Sequence, residues 1–261
     1  MPSLCVIGHL ARDVVAGTPP RIGGGPFHAA RALHVLSHRA IIVAKCGEPE
    51  RESFGRRLAA FGIPVALRAA GETTAFSFSY DVEGVRTMRV DAVGDPWHVR
   101  DVPQALLRSV WWLHVPALLH GDFDADAFAW LARDRRILYD GQGLVRTRRV
   151  GPLALSGALD RSVLKHVSVL KLAEEEAAAV GDVRELGVPE VLVTRGPVGS
   201  TIVLRDQTID VPARAIDTDP TGAGDAFSAA YMASRAEGNN PASAARRATA
   251  VVAALLTGRV R

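Results

Sequence analysis

Residues 219–227 read Asp-Pro-Thr-Gly-Ala-Gly-Asp-Ala-Phe, the most informative stretch of the chain. Its small residues predict the start of a helix whose first backbone N–H groups lack partners within the helix and point towards one spot. These donors and the positive end of the helix dipole favour a bound anion. Glycines let phosphate oxygens come close to the backbone, which side chains would obstruct. The stretch therefore predicts a phosphate site at the start of a helix.

Asp225 falls in the first turn of this predicted helix, beside the anion. A carboxylate next to a bound phosphoryl group is placed to take a proton from an attacking alcohol. The alternative is a glycine-rich turn whose aspartate only accepts hydrogen bonds from the helix start. A lone Gly-x-Gly-Asp fits both interpretations, whereas the complete string of nine residues favours the phosphoryl site.

Around this stretch, short apolar runs alternate with amphipathic segments along most of the chain. The predicted strands are residues 4–8, 41–47, 110–115, 136–140, 167–172 and 191–194. The predicted helices are residues 26–37, 51–61, 125–133, 174–180 and 222–237. This alternation predicts an α/β fold with a doubly wound, mainly parallel sheet flanked by helices. Ligands in such folds bind at the carboxyl ends of the strands.

Residues 74–90 break the alternation. Phe76, Phe78 and Tyr80 recur with a period of two, which indicates a strand with one apolar face. Residues 82–84 look like a turn, and residues 85–90 form the returning strand of a β-hairpin. A substrate pocket, a second copy of the chain or the parent domain would cover the apolar face. We therefore predict one domain over residues 1–261, with a small β lid from about 13–23 and 72–92.

The composition limits the classes of protein that the chain can form. Its 261 residues are 48% hydrophobic, enough for a sizeable core, which excludes a disordered chain. Two cysteines, Cys5 and Cys46, are too few for a secreted disulfide scaffold or a zinc site of the usual spacing, so we expect a cytoplasmic protein. No signal peptide is expected because Arg12 and Asp13 interrupt the first apolar stretch, and no run is long enough to span a membrane. The net charge of +3 is carried by scattered arginines, which argues against nucleic acid as a partner.

Residues 219–227 resemble the C-terminal signature of the ribokinase-like (PfkB) carbohydrate kinases, and further matches follow in order along the chain. Val6-Ile7-Gly8 with Asp13 resembles the family's first strand and its substrate-binding aspartate. Residues 21–26, Arg-Ile-Gly-Gly-Gly-Pro, resemble the diglycine hinge, and residues 47–62 have the family's strand, helix and glycine spacing. The predicted hairpin falls where the family carries its lid, and residues 193–199 resemble the stretch under the nucleotide.

The resemblance implies a role for each matching residue. Gly222, Ala223 and Gly224 would form the anion hole, and Asp225 would be the base. Asp13 would hold substrate hydroxyls, because a carboxylate accepts two hydrogen bonds from a diol. Gly24 and Gly25 would form the hinge on which the lid closes. The residues implied for the nucleotide are Thr194, Gly196, Gly199 and Thr221.

The chain also departs from the family pattern. His28 stands where the family often has an asparagine that contacts the sugar, and a histidine would still bond a hydroxyl. The usual Asn-x-x-Glu magnesium motif reads Ala173-Glu174-Glu175-Glu176, in which Glu176 would support Mg²⁺ through water. Without the resemblance, three glutamates would only be a solvated first turn of a helix. The chain after Gly238 is brief, which predicts a small adenine pocket.

Residues 140–146, Asp-Gly-Gln-Gly-Leu-Val-Arg, follow a predicted strand at the ligand-binding end of the sheet. They resemble a segment of some smaller members of the family. Asp140 or Gln142 would reach substrate or metal-bound water, and Arg146 would neutralise phosphate charge. The alternative is a tight turn with a surface arginine.

These features together predict transfer of the γ-phosphoryl group of ATP–Mg²⁺ to a hydroxyl of a small sugar, polyol or nucleoside. A vitamin or pyrimidine kinase of the same superfamily is one alternative, although the inserted hairpin weighs against it. A non-catalytic protein that senses a sugar or nucleotide is another, which the missing asparagine at Ala173 keeps open. A homodimer through the lid is expected, since the apolar stripe of the hairpin needs cover.

Overall fold

The computed structural model describes residues 4–80, 86–157 and 160–259. Its main sheet has nine strands in the order β14-β13-β12-β11-β9-β8-β1-β4-β5. These strands are β1 (Leu4–His9), β4 (Ala40–Gly47), β5 (Val65–Ala70), β8 (Trp112–Val115), β9 (Arg136–Asp140), β11 (Val169–Ala173), β12 (Glu190–Thr194), β13 (Gly199–Leu204) and β14 (Thr208–Pro212). The strands from β5 to β12 run parallel, and β13 and β14 add an antiparallel edge.

Helices cover both faces of this sheet. They are α1 (Gly25–Val35), α2 (Glu48–Ala59), α3 (Ala125–Leu131), α4 (Gln142–Val145), α5 (Glu174–Val180), α6 (Ala223–Ala236) and α7 (Pro241–Leu256). Side chains of α1, α6 and α7 form one hydrophobic core with the sheet, and side chains of α3 and α5 belong to a second core. A parallel sheet is stable only when both faces are covered, and β1 and β4 are accordingly buried along their whole length. The predicted doubly wound α/β fold is confirmed.

The carboxyl ends of the central strands position the functional residues. β9 ends at Asp140 and leads directly into α4, and β11 ends at Ala173, directly before α5. β12 ends at Thr194, beside the end of β11, with which it pairs in parallel. In the described part of the chain, no helix is long and apolar enough to cross a membrane.

A second sheet of five strands stands at this end of the molecule, in the order β10-β7-β6-β2-β3. Its strands are β2 (Ala11–Val15), β3 (Arg21–Gly23), β6 (Thr74–Tyr80), β7 (Arg86–Ala92) and β10 (Gly151–Pro152). β6 and β7 form the predicted antiparallel hairpin, and the predicted turn at residues 82–84 lies outside the described residues. We call this sheet the lid. The sequence did not predict that β10, from a distant part of the chain, pairs with β7.

The apolar face of the lid is covered within the chain. Phe76 is 4% exposed and Phe78 is 6% exposed. They form a small core with Leu118 and Leu119, which follow β8 of the main sheet. The predicted homodimer was argued from an apolar stripe that needs cover, and for these two side chains that argument no longer holds.

Candidate active site

The predicted anion loop leads into α6 as expected. Gly222 has a φ of 79°, the left-handed region that favours glycine, and it caps the helix. A Cβ at this position would lie 2.0 Å from Nδ1 of His28, so a side chain cannot fit. Asp219 fixes the loop upstream, because its Oδ1 accepts hydrogen bonds from the backbone N–H of Thr221 (3.0 Å) and from its hydroxyl (2.6 Å). The helix start is therefore fixed, with Gly222 and Gly224 lining the cleft. The backbone N–H of Ala223 donates to the carbonyl of Pro220 over 2.9 Å, so Ala223 does not contribute a free donor to the predicted anion hole.

Asp225 lies in the first turn of α6 and is 8% exposed. The side-chain amide of Gln142 donates to its Oδ1 over 3.4 Å. Burial raises the pKa of Asp225 to about 7, the nearby Asp140 carboxylate adds to the rise, and Lys171 opposes it. A carboxylate with a pKa near neutrality is suited to accept a proton and release it again.

Of the two residues predicted to reach substrate or metal-bound water, Gln142 lines the cleft and Asp140 does not. Asp140 is fully buried, and Nε2 of His114 donates to its Oδ2 over 2.9 Å. The hydroxyl of Ser228, one turn after Asp225 on α6, donates to its Oδ1 over 2.6 Å. Burial alone would raise the pKa of Asp140, but His114 and its hydrogen bond outweigh burial and hold the pKa low. Asp140 is thus a buried negative charge behind Asp225.

Two cationic side chains, Lys171 and Arg146, line the same cleft as Asp225. Lys171, in the middle of β11, is 3% exposed, and its Nζ would lie 2.8 Å from a Cβ placed on Gly224. Burial lowers the pKa of Lys171, but the carboxylates of Glu176, Asp140 and Asp225 outweigh burial and raise it above its usual value. Lys171 is therefore charged. Arg146 follows α4, and its Nη2 donates to Oε1 of Glu176 over 3.2 Å.

The cleft between the lid and α6 has a volume of about 340 Å³. The lid lines it with the apolar residues Ala11, Phe76, Phe78 and Met88 and with the polar Asp13 on β2. Leu118, which follows β8, adds a further apolar side chain. The predicted site residues that line the cleft are Asp13, Gly24, His28, Arg146, Glu176, Thr194, Gly196, Thr221, Gly222, Gly224 and Asp225. Residues separated by most of the chain length thus meet at one place.

Three further predicted residues do not line this cleft. A Cβ on Gly25 would lie 3.3 Å from Oδ1 of Asp225, so Gly25 adjoins this carboxylate. Ala223 lines the neighbouring groove between α1 and α7. Gly199 begins β13 and has a φ of 120°. A Cβ on it would meet the backbone of Val211, so Gly199 serves a tight turn between strands.

His28 faces both the cleft and this groove, and it is 8% exposed. Burial lowers its pKa to about 4, and the positive charge of Arg31 adds to the effect. His28 is therefore neutral at physiological pH. A neutral imidazole has one donor and one acceptor nitrogen, which suits a hydroxyl group.

The sequence argument missed Lys171 and Arg195, which also line the cleft. Lys171 did carry a signal, because it is one of three lysines in the chain and stands in an otherwise apolar strand. A lysine buried in such a strand must be paired with anionic side chains or bind an anionic ligand. Arg195 follows β12, and its Nη2 bonds Oδ1 of Asp210 over 3.0 Å. Arg195 lies within residues 193–199, and their resemblance to the stretch under the nucleotide is the signal that could have identified it.

The Mg²⁺ that the family resemblance implies does not find a protein-built site here. Both carboxylate oxygens of Glu176 are engaged, Oε1 with Arg146 and Oε2 with the backbone N–H of Ala173 over 2.9 Å. Among residues 4–80, 86–157 and 160–259 there is no group of three or more His, Cys, Asp or Glu side chains that would hold a metal ion. The predicted support of Mg²⁺ by Glu176 through water stays a prediction, since each carboxylate oxygen has a second lone pair that could accept from a metal-bound water.

Comparisons with known proteins agree with this architecture. A family model described as pfkB family carbohydrate kinase matches residues 160–259. A pyrophosphate-dependent kinase in the ribokinase family, solved with a pyrophosphate analogue and myo-inositol, is similar with a TM-score of 0.84 and 22% identity, over 97% of this chain and 95% of that one. A nucleoside kinase from Burkholderia thailandensis, solved with inosine, has a TM-score of 0.76 and 19% identity, over 97% and 90%. A ribokinase II from E. coli, described as putative and solved with ATP and Mg²⁺, has a TM-score of 0.72 and 19% identity, over 98% and 93%.

Proposed function

Since the chain is a relative of the ribokinase-like (PfkB) carbohydrate kinases in fold and in C-terminal sequence, we propose that it transfers a phosphoryl group to a hydroxyl of a small sugar, polyol or nucleoside. One observation carries the proposal. Asp225, a buried carboxylate with a pKa of about 7, adjoins the open N-terminus of α6, and Lys171 lies beside the same helix start. A proton acceptor next to an anion site is the arrangement that phosphoryl transfer to an alcohol needs.

In this mechanism the acceptor binds under the lid, with its hydroxyl groups bonded to Asp13 and His28. Asp225 takes the proton of the attacking hydroxyl while the oxygen of that hydroxyl forms a bond to phosphorus. The bond from phosphorus to the leaving oxygen of the donor breaks at the same time. The backbone N–H groups at the start of α6 and the charge of Lys171 stabilise the negative charge on the transferred group. Most of the rate enhancement comes from this positioning and charge stabilisation.

ATP is the proposed donor, with its phosphates at the anion loop and Thr194, Gly196 and Thr221 along its path. Mg²⁺ would arrive bound to the donor phosphates and neutralise part of their charge, since it keeps several waters and needs few protein ligands. Inorganic pyrophosphate is a second candidate donor. It is favoured by the concentration of cationic side chains at the donor end of the cleft, and one structural relative is described as pyrophosphate-dependent.

The test is a matrix of donors against acceptors. ATP and pyrophosphate are each offered with pentoses, hexoses, inositols and nucleosides, and the phosphorylated product is measured directly. Turnover of any sugar, polyol or nucleoside supports the proposal. The donor that gives this turnover, ATP or pyrophosphate, is then identified as the donor of the enzyme. Binding without turnover in every cell would favour the non-catalytic sensing protein. Turnover confined to vitamins or pyrimidines, added as a separate panel, would favour that branch of the superfamily.

We place this activity in the cytoplasm. Cys5 and Cys46 are both buried and unpaired, which suits a reducing compartment. The cleft is small and lined on one side by the lid, so a small molecule is the proposed partner. A homodimer through the lid stays a proposal. Its contacts would have to come from the outer, polar face of the lid, because the chain itself covers the apolar face.

A further inference from the structure

Resting on the proposed function, we propose that Glu176 is a positioning residue that holds Arg146 against the phosphate chain of the donor. Arg146 and Lys171 then form a fixed cationic clamp on those phosphates. The clamp gives Glu176 a role that differs from support of a metal ion, and it makes donor affinity depend on protein charges.

The partners of Glu176 carry the first step. Glu176 is 1% exposed, at the start of α5. Its Oε2 accepts the backbone N–H of Ala173 and thereby fixes the carboxylate to the helix start, while its Oε1 accepts from Nη2 of Arg146. Because Oε2 is hydrogen-bonded to the backbone, the position of Oε1 is fixed, and Oε1 can hold the guanidinium of Arg146 in one place. A buried carboxylate of this kind orients a guanidinium more firmly than an exposed one does.

The second step concerns Arg146 itself. Its backbone is fixed on both sides, because its N–H donates to the carbonyl of Gln142 and its carbonyl accepts from the N–H of His120. Its side chain is 17% exposed and lines the cleft. Its Nε is buried and has no hydrogen-bond partner in the structure. A buried donor without a partner is costly, which is consistent with a ligand that completes its bonding.

Lys171 supplies the other half of the clamp. It reaches the cleft from β11, and its Nζ is close to Gly224 of the anion loop. It makes no hydrogen bond or ion pair with the rest of the described chain. The surrounding carboxylates keep it charged, as described above. The two cations are therefore charged, largely buried and not fully bonded, at the place where the donor phosphates would lie.

The test uses inorganic pyrophosphate as the probe, because it carries phosphate charge without a nucleoside. Its binding is measured by calorimetry in a buffer with a metal chelator, for the parent, Arg146→Gln, Glu176→Gln and the double variant. Removing a charged hydrogen bond costs roughly ten- to hundredfold in affinity, so Arg146→Gln should weaken binding by at least tenfold. Glu176→Gln should weaken it about fivefold, because a released guanidinium loses its orientation. In the Arg146→Gln background, Glu176→Gln should have no effect beyond that of removing one nearby negative charge, which the control variant measures.

Glu174→Gln is the matched control, since Glu174 is exposed and the change alters the net charge by the same amount. The effect of Glu174→Gln on pyrophosphate affinity should be the same in the parent and in the Arg146→Gln background. If the effects of Glu176→Gln and Arg146→Gln simply multiply, or if Glu176→Gln acts only when Mg²⁺ is added, the clamp is wrong. Thermal unfolding identifies a variant that does not fold. Arg146→Gln leaves the bond between Glu176 and Ala173 intact, so unchanged pyrophosphate binding in this variant alone would also overturn the clamp.

The failure of the clamp can be separated from the failure of the proposed function. Coupled binding effects without turnover of any acceptor would uphold the clamp and overturn the kinase proposal. If the parent protein turns over an acceptor but the Arg146 and Glu176 variants bind pyrophosphate as tightly as the parent does, the kinase proposal is upheld and the clamp is overturned. The magnesium concentration for half-maximal rate gives a further readout, and we expect Glu176→Gln to leave it within twofold.

Discussion

In the proposed mechanism, catalysis depends on the single carboxylate of Asp225. Asp225→Asn keeps the shape of the side chain but removes the proton acceptor. Because general-base catalysis contributes roughly 10²–10⁴-fold, we expect the rate of product formation to fall by that factor. Donor binding by calorimetry should change little. Asp217→Asn, at an exposed position in the loop before α6, is the control and should keep the parent rate. A rate for Asp225→Asn within a few-fold of the parent would exclude Asp225 as the base.

The buried Asp140 should tune this base without touching substrate. Its negative charge opposes ionisation of Asp225, while Lys171, His114 and Arg146 favour it. Because the base must be ionised, kcat/KM should rise with pH through about 7. In Asp140→Asn the repulsion is lost and the pKa of Asp225 falls. The acidic limb of the pH profile should then move to lower pH, by roughly one unit. An acidic limb that stays in place would mean that Asp140 serves only the packing.

At the scale of elements, α7 was absent from the predicted helices although it contains clear start signals. Asn240 caps α7, since its side-chain oxygen accepts the backbone N–H of Ser243 over 2.9 Å, and Pro241 occupies the first turn. Loss of such a cap costs about 1 kcal/mol. Asn240→Ala should lower the free energy of unfolding by that amount in denaturant titrations. Asn240→Ser keeps an accepting oxygen and should stay close to the parent. Equal losses in both variants would show that the cap is not responsible.

The edge of the main sheet shows why other elements were missed. The interpretation followed the alternation of strand and helix, which predicts parallel units. β13 and β14 form a hairpin in which three residues, Arg205, Asp206 and Gln207, join the two strands. No helix separates them, so the alternation gave no signal there. β5 was missed because its side chains are mostly half-buried or exposed, as expected at a sheet edge, and its sequence lacks a continuous apolar run.

At the scale of the whole molecule, the lid links the acceptor site to the stability of the fold. Phe76 and Phe78 pack with Leu118 and Leu119 and also line the cleft. Replacing both by serine should raise the KM for the acceptor at least tenfold and lower the unfolding temperature, because buried aromatic side chains contribute roughly 3–5 kcal/mol each. Ser77→Ala, on the opposite face of β6, should change neither quantity much.

The same variants test the predicted dimer. Because the chain itself covers both phenylalanines, we expect the double variant and the parent to have the same mass in sedimentation. A parent dimer that dissociates in the double variant would show that the lid is an interface after all. An unchanged KM would show that the hairpin does not close over the acceptor.

The sequence by itself determined the class of fold and the start of α6. Both depend on local patterns, namely the alternation of apolar strands with amphipathic helices and a run of small residues before Asp225. It also identified, through their likeness to a family, about half of the residues that line the cleft. It could not determine which charged side chains pair with one another. Asp140 and Lys171 lie directly opposite each other only because β9 and β11 are neighbours in parallel register. Glu176 meets Arg146 only because α5 and α4 follow neighbouring strands at the same end of the sheet. Tertiary structure made one carboxylate a buried partner of His114 and another an anchor for a guanidinium, since burial and pairing depend on residues that are distant in sequence.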